Sequence, residues 1–468
     1  MPMEGASLSL MLFPQRWDGQ RLSASLLVLP RGDPLHAPLW AEGAAFAGAP
    51  LALQLELQAG GDAFTPGAPG NLSVDFMLPG ASRAVELFTA LHGQFLPTPP
   101  PSNPQALWRW REERRARWTA LGPVRKVLPE SYLAALREHA THPRADVSRR
   151  AASAISESDL TSRLIRSAAE PRPAPGGHLS WGEVLSHALR QPTLARALGL
   201  VIDIDTGFTG WDVAGRLSHG GWLQVTLAAS QRHRAPRLAA RIPALGPQPR
   251  PLFAAMLFAE ATAGVAPCPR PWLAEAESYS DGFAHVVHSA EYRPLGASLP
   301  LAPPPGAHPG LAIGWDDEQL LAWVQRQVDA LCEPAEALVL PSVAGYRVDV
   351  RERGDADTAW RSLCGLRGTL SVGEWHSEFT GESRIDVAPL LAGHGDDAFA
   401  CLPRHFAIWR GGSLVTGPRS AWGAHPWPPD QPLPDLRPGS DFEVRVRLVD
   451  LSGGGPQPTD QPVAHATP

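Results

Sequence analysis

Two carboxylates, Asp203 and Asp205, stand two residues apart in VIDIDTG (Val201 to Gly207), at the end of an apolar run. Alternate residues of a strand share a face, so both side chains point the same way and offer hard oxygen ligands to Mg²⁺. The competing expectation is an edge strand with Leu200, Ile202 and Ile204 inward and the two aspartates in water.

Further candidates are weaker. HVVHSAE (His285 to Glu291) spaces two histidines and a glutamate at i, i+3 and i+6, which suits a metal only on a helix. The flanking FAHVV favours a strand, where His285 and His288 face opposite ways, so ordinary histidines are expected. WRWREERRARW (Trp108 to Trp118) interleaves five arginines with three tryptophans and could face an anionic partner. A helix packing Trp110 and Trp118 inward, with Glu112 and Glu113 partly cancelling the charge, explains it more simply. Sixteen tryptophans accompany four tyrosines. If exposed, Trp409, Trp422 and Trp427 could stack on a glycan; core packing is the alternative.

No GxSxG elbow, GxxxxGK[ST] loop or strand-borne GxGxxG occurs, which removes the commonest hydrolase, ATPase and dehydrogenase patterns. VIDIDTG faintly resembles the nucleophile motif of haloacid-dehalogenase-type phosphatases. Gly207 departs from that pattern, and the lysine such enzymes need has only Lys126 to supply it. Cys268, Cys332, Cys364 and Cys401 lie far apart, with no CxxC pair and no disulfide scaffold. No cofactor is expected. A net charge of −6 argues against nucleic acid as a partner. The first residues lack a secretory pattern and the run PLFAAMLFA is too short to span a bilayer, so a cytoplasmic protein is expected, with signal-independent export as the alternative.

The elements that must position these residues are mostly short. Glycine and proline number 44 and 50 of 468 residues, which suits many strands and turns. Proline-rich breaks at 95–104, 168–178 and 298–310 suggest units at 1–94 (β-rich), 105–168 (helical), 179–297 (mixed α/β), 311–333 (a helix), 334–456 (a sandwich with a large insertion) and a tail at 457–468. Strands are predicted at Ser7 to Phe13, Arg21 to Pro30, Leu51 to Gln58, Asn71 to Leu78, Leu198 to Asp205 and Gly221 to Ala228. Val184, Leu185, Ala188 and Leu189 mark one face of a helix, and Leu320, Val324, Val328 and Leu331 another. The fold class is therefore mainly β with helical insertions.

Near the C-terminus, LRPGSDFEVRVRLVD (Leu436 to Asp450) places Phe442, Val444 and Val446 on one face and Glu443, Arg445 and Arg447 on the other, expected to be solvent. Its Leu436, Pro438, Gly439, Val444, Val446 and Val449 resemble the strand F region of fibronectin type III domains. GYRVDVRERG (Gly345 to Gly354) is similar to that family's strand C. Phe442 replaces the tyrosine whose hydroxyl closes the family's corner. The resemblance implies an adhesive or scaffolding module, usually without catalysis. Such a sandwich needs a neighbour beyond strand F, yet only a Gly- and Pro-rich tail follows. The edge carrying Val444, Val446 and Val449 is thus expected to be capped by that tail or completed by a partner strand. The expected function is a non-catalytic scaffold or partner-binding protein of a larger bacterial assembly; a carbohydrate-binding module and an Mg²⁺-dependent phosphohydrolase at Asp203 and Asp205 are the alternatives.

Overall fold

The leucines of LALQLELQ read as the buried face of a strand, and Leu53, Leu55 and Leu57 are each at most 2% exposed. The computed structural model describes residues 7–31, 47–95, 184–185, 188–209, 211–228, 237–259, 270–284, 288–292, 310–314, 339–356, 359–385, 390–392, 399–401, 405–409, 413–415 and 441–463, with single residues 103, 105 and 235. The expected helical block at 105–168 and the helix from Trp315 fall almost wholly outside these residues, as do Trp422 and Trp427.

The first strands are β1 (Ser7–Trp17), β2 (Arg21–Arg31), β3 (Leu51–Ala59) and β4 (Leu72–Leu78), followed by helix α1 (Ala84–Phe95). The centre supplies α2 (Pro192–Ala197), β5 (Val201–Thr209), α3 (Trp211–Arg216), β6 (Gly221–Leu227), β7 (Leu238–Ile242), β8 (Arg250–Pro251) and β9 (Met256–Ala259). Next come α4 (Arg270–Ser278), β10 (Phe283–Ala284), β11 (His288–Tyr292), β12 (Gly310–Gly314), β13 (Val339–Pro341), β14 (Val343–Glu352) and β15 (Arg361–Ser362). The chain closes with β16 (Gly365–Val372), β17 (Trp375–Glu382), β18 (Leu390–Ala392), β19 (Phe399–Cys401), β20 (His405–Trp409) and β21 (Phe442–Asp450).

Antiparallel pairing joins strands that the proline-rich breaks separate in sequence. One sheet runs β5-β2-β1-β8 and a second runs β13-β9-β7-β6-β3-β4. Each thus mixes strands from segments that read as separate units, because the breaks divide the chain without dividing its sheets. Between these sheets, Leu8, Leu10, Leu12, Leu26 and Val28 pack with Leu53, Leu55, Leu57, Leu223, Val225 and Leu227. Burying each such side chain contributes about 1.5–3 kcal/mol.

The opposite face of the six-stranded sheet carries Trp222, Ala239 and Phe258, with the Trp222 and Phe258 rings meeting edge-on at 5.1 Å. It shares a second core with Tyr346, Val348, Val350, Val446 and Leu448 from a third sheet, ordered β10-β21-β14-β15. A smaller sheet, β11-β12-β20, and the ribbons β16-β17 and β18-β19 complete the described strands. Helix α1 places Ala84, Leu87, Phe88 and Leu91 against Val372 and Trp375 of one ribbon and against Val184, Leu185 and Ala188. The spacing i, i+3, i+4, i+7 is a plain helical stripe, and the sequence reading passed it over.

Two expectations about β21 are corrected here. The neighbour beside its outer edge is neither the tail nor a partner strand: Phe283 and Ala284 pair with Arg447 and Val446, and Leu448 N–H donates to the Gly282 carbonyl. The missing neighbour comes from far upstream rather than from the chain's end. Second, Arg445 and Arg447 do not face water; they are 7% and 0% exposed. The Gly- and Pro-rich tail after Asp450 folds back over that face. Arg445 donates to the Asp460 and Pro458 carbonyls and Arg447 to the Pro456 carbonyl. Val446 and Val449 are buried and Val444 partly buried, all on the core side or beneath the tail.

Candidate functional site

A single face of the first sheet changes character along its length. At one end Met11, Phe13, Leu27, Leu29 and Val201 pack under Ala195 of α2. Two and four residues further along β5 the same face carries Asp203 and Asp205, and β2 carries Ser25 and Ser23 opposite them in register. Beyond the end of α2 the polar residues of this face line a cavity of about 830 Å³. Gln15, Arg16, Arg21, Ser23, Ser25, Asp203 and Asp205 form its floor, and Arg347 and Glu382 stand in the opposite wall. Gly453, Gly454, Gln457 and Pro458 of the returning tail make its rim.

One end of this groove is fixed by charge-assisted bonds. Arg196, in the last turn of α2, donates from Nε to Asp203 Oδ2 at 2.7 Å and from Nη2 to Oδ1 at 2.9 Å. Ser25 Oγ donates to Oδ1 at 2.7 Å. Burial raises the Asp203 pKa, but the bonds from Arg196 and Ser25 outweigh it and hold the carboxyl below its ordinary value. Across the groove, Arg347 donates to the Ser383 and Gly453 carbonyls and lies 3.8 Å from Glu382.

Behind that wall lies a buried ion network. Asp349, fully buried, accepts from Arg445 Nε at 2.7 Å and from Arg447 Nε and Nη2 at 2.8 and 2.7 Å. Arg447 also pairs with Glu382. The tail is tied to β1 as well. Arg16 Nη2 donates to both Asp460 oxygens at 2.5 and 2.6 Å, and Gln15 donates to Asp450 at 2.7 Å. Arg445 further lies 4.5 Å from the Trp360 ring centroid, and Arg351 stands 4.6 Å from the same ring.

Glu382 gives this network a pH dependence. Burial pushes its pKa up, but the charges of Arg447 and Arg347 prevail and hold it at about 2 against an ordinary 4.5. The folded-state pKa lies below the unfolded one, so its contribution is present above about pH 4.5 and fades as pH falls towards 2. At 1.36 kcal/mol per pH unit this is on the order of 3 kcal/mol. Thermal melts should show wild type losing stability through that window more steeply than Glu382→Gln; parallel curves would contradict the assignment.

The groove brings Asp203 and Asp205 together with Arg21 and Arg196, which the sequence reading did not single out. Arg196 sits on a six-residue helix too short to show periodicity. β5 is an edge strand with Leu200 and Ile204 buried, Ile202 only partly buried and both aspartates exposed. His288 opens β11, in keeping with the expected strand; His285 lies outside the described residues. Among the described residues no group of three or more His, Cys, Asp or Glu could hold a metal ion. Trp409 is fully buried with its ring edge-on to Phe442 at 5.2 Å, so it presents no ring face for a sugar. No described helix is long and apolar enough to cross a membrane. Comparisons with protein-family models, with curated proteins and with solved structures return no match for this chain.

Proposed function

We propose that this protein is a non-catalytic, partner-binding scaffold of a larger bacterial assembly, and that the groove on its first sheet is where the partner is held. The observation that carries this reading is the commitment of Asp203. Both its oxygens are bonded to Arg196 or Ser25, which makes it a fixed wall of a pre-shaped groove rather than a free ligand or base. The same commitment weighs against Mg²⁺ chemistry at Asp203 and Asp205. The buried ring of Trp409 weighs against a glycan platform there.

Within this reading the C-terminal sheet is of fibronectin type III kind. The support is the antiparallel pairing of β14 with β21, because strands C and F are neighbours in such sandwiches. Four cysteines without paired spacing support a reducing, cytoplasmic setting.

Affinity capture from the native cells, compared between wild type and Asp205→Arg of unchanged circular dichroism, tests the proposal. A specific protein should be captured by wild type and lost with the variant. Equal capture by both would remove the groove from the account, and a turnover abolished by Asp203→Asn would remove the non-catalytic reading.

A further inference from the structure

The charges that line the groove cancel, four arginines against four carboxylates, and they are already matched. Arg196 is bonded to Asp203, Arg21 is paired with Asp18 and Asp205, and Arg347 lies beside Glu382. Arg16 is spent on Asp460 of the tail. Net charge therefore selects no ligand here, and hydrogen-bonding capacity is what remains.

Two under-used groups belong to opposite sides of the groove. In the wall, Arg347 is only 6% exposed. It donates from Nε to the Ser383 carbonyl at 3.2 Å and from Nη2 to the Gly453 carbonyl at 3.0 Å. An arginine offers five N–H donors, and among the described residues nothing bonds Nη1, which is left to the cavity that the residue lines. On the floor, Asp205 Oδ1 accepts from the Gly207 N–H at 3.1 Å. Its Oδ2 has only Arg21 Nη1 at 3.9 Å, an ion pair too long for a hydrogen bond. The groove thus keeps a buried donor on one side and an acceptor on the other.

The arginines of this wall already display what they recognise. Arg347, Arg445 and Arg447 hold the returning tail by main-chain carbonyls, those of Gly453, Pro456, Pro458 and Asp460. A peptide backbone supplies a carbonyl and an N–H at each residue without net charge, which matches the two groups left over.

Resting on the partner-binding reading, we propose that the groove takes an uncharged, extended peptide segment of the partner, held by its backbone: one carbonyl accepts from Arg347 Nη1 and one N–H donates to Asp205 Oδ2. The segment lies beside the tail and extends the carbonyl recognition that the arginine row makes within the chain. The fixed Asp203–Arg196 pair closes the α2 end, so the segment enters beside the β1–β2 turn.

The test uses the full chain and three end-blocked glycine–serine peptides that differ only in a central Gln, Glu or Lys, with maltotriose as the uncharged non-peptide arm. Binding is followed by NMR shift perturbation at low and at high salt. The Gln peptide should bind at least as tightly as the other two, and salt should change its affinity by less than about twofold, since no net charge is matched. Arg347→Met and Asp205→Ala should each weaken it about tenfold or more. Arg347→Met also frees the tail, so Asp205→Ala, at a side chain 56% exposed, decides the matter if the first variant fails to fold. No shift with the Gln peptide, tighter binding of either charged peptide, or unchanged binding by Asp205→Ala would overturn the proposal. Tighter binding of maltotriose would overturn it in favour of a sugar. A captured protein partner that is lost with Asp205→Arg, while the Gln peptide leaves the spectra unchanged, would keep the partner-binding reading and remove only the backbone recognition.

Discussion

Replacing Arg447 with alanine should cost about 3–5 kcal/mol of folding stability, the loss expected when one partner of a buried ion pair is removed. Arg447 is 0% exposed, pairs with Asp349 and Glu382, and donates to the Pro456 carbonyl. Alanine leaves Asp349 buried with only Arg445, and leaves Glu382 to Arg347 at 3.8 Å and to the Ser362 hydroxyl. Water cannot readily repay Asp349, because the tail covers it, whereas Glu382 reaches the groove and loses less. Arg447→Lys should recover part of the loss, since it restores the charge but not the fork that bonds two carboxylates together. Urea unfolding of the two variants beside wild type checks this. A loss below about 1 kcal/mol for Arg447→Ala, the range of a surface pair, would contradict the buried network.

Trp409→Ala should cost a similar amount, about 3–5 kcal/mol, by opening a cavity where a fully buried ring packs against Phe442. Among the described residues the indole N–H has no hydrogen-bond partner, so the ring contributes through packing. Trp409→Phe should accordingly recover most of the stability, having lost area but no bond. An exposed sugar platform behaves otherwise: its alanine variant would unfold like wild type and lose glycan binding. Chemical denaturation therefore separates the two roles without any glycan in hand.

The alternating leucines of β1 to β3 were legible because one face of each strand meets a core while period two keeps the other face distinct. Sheet membership was not. Leu57 pairs beside Leu223, and Ala24 beside Ile204, across gaps that pattern alone cannot bridge. Arg445 and Arg447 read as a solvent face because alternation reports polarity and not cover. The cover is a segment of glycines and prolines with no period to betray it. The paired aspartates on β5 were visible at once, as was their shared face. Their meaning was not, because it depends on Arg196 and Ser25, which local sequence does not tie to Asp203. The neighbour of β21 was not legible for a related reason, since Phe283 and Ala284 arrive from another part of the chain.

Under the proposed function the polar groove, and not a sheet edge or a catalytic pair, is where a partner is held. Photo-crosslinking tests it most directly, with benzoyl-phenylalanine placed at Ser23 in the groove or at Met77, an exposed position on the outermost strand of the six-stranded sheet. One recurrent protein adduct is expected from Ser23 in living cells, lost when Asp205→Arg is added, and none from Met77. The same adduct from Met77, or none from Ser23, would contradict it.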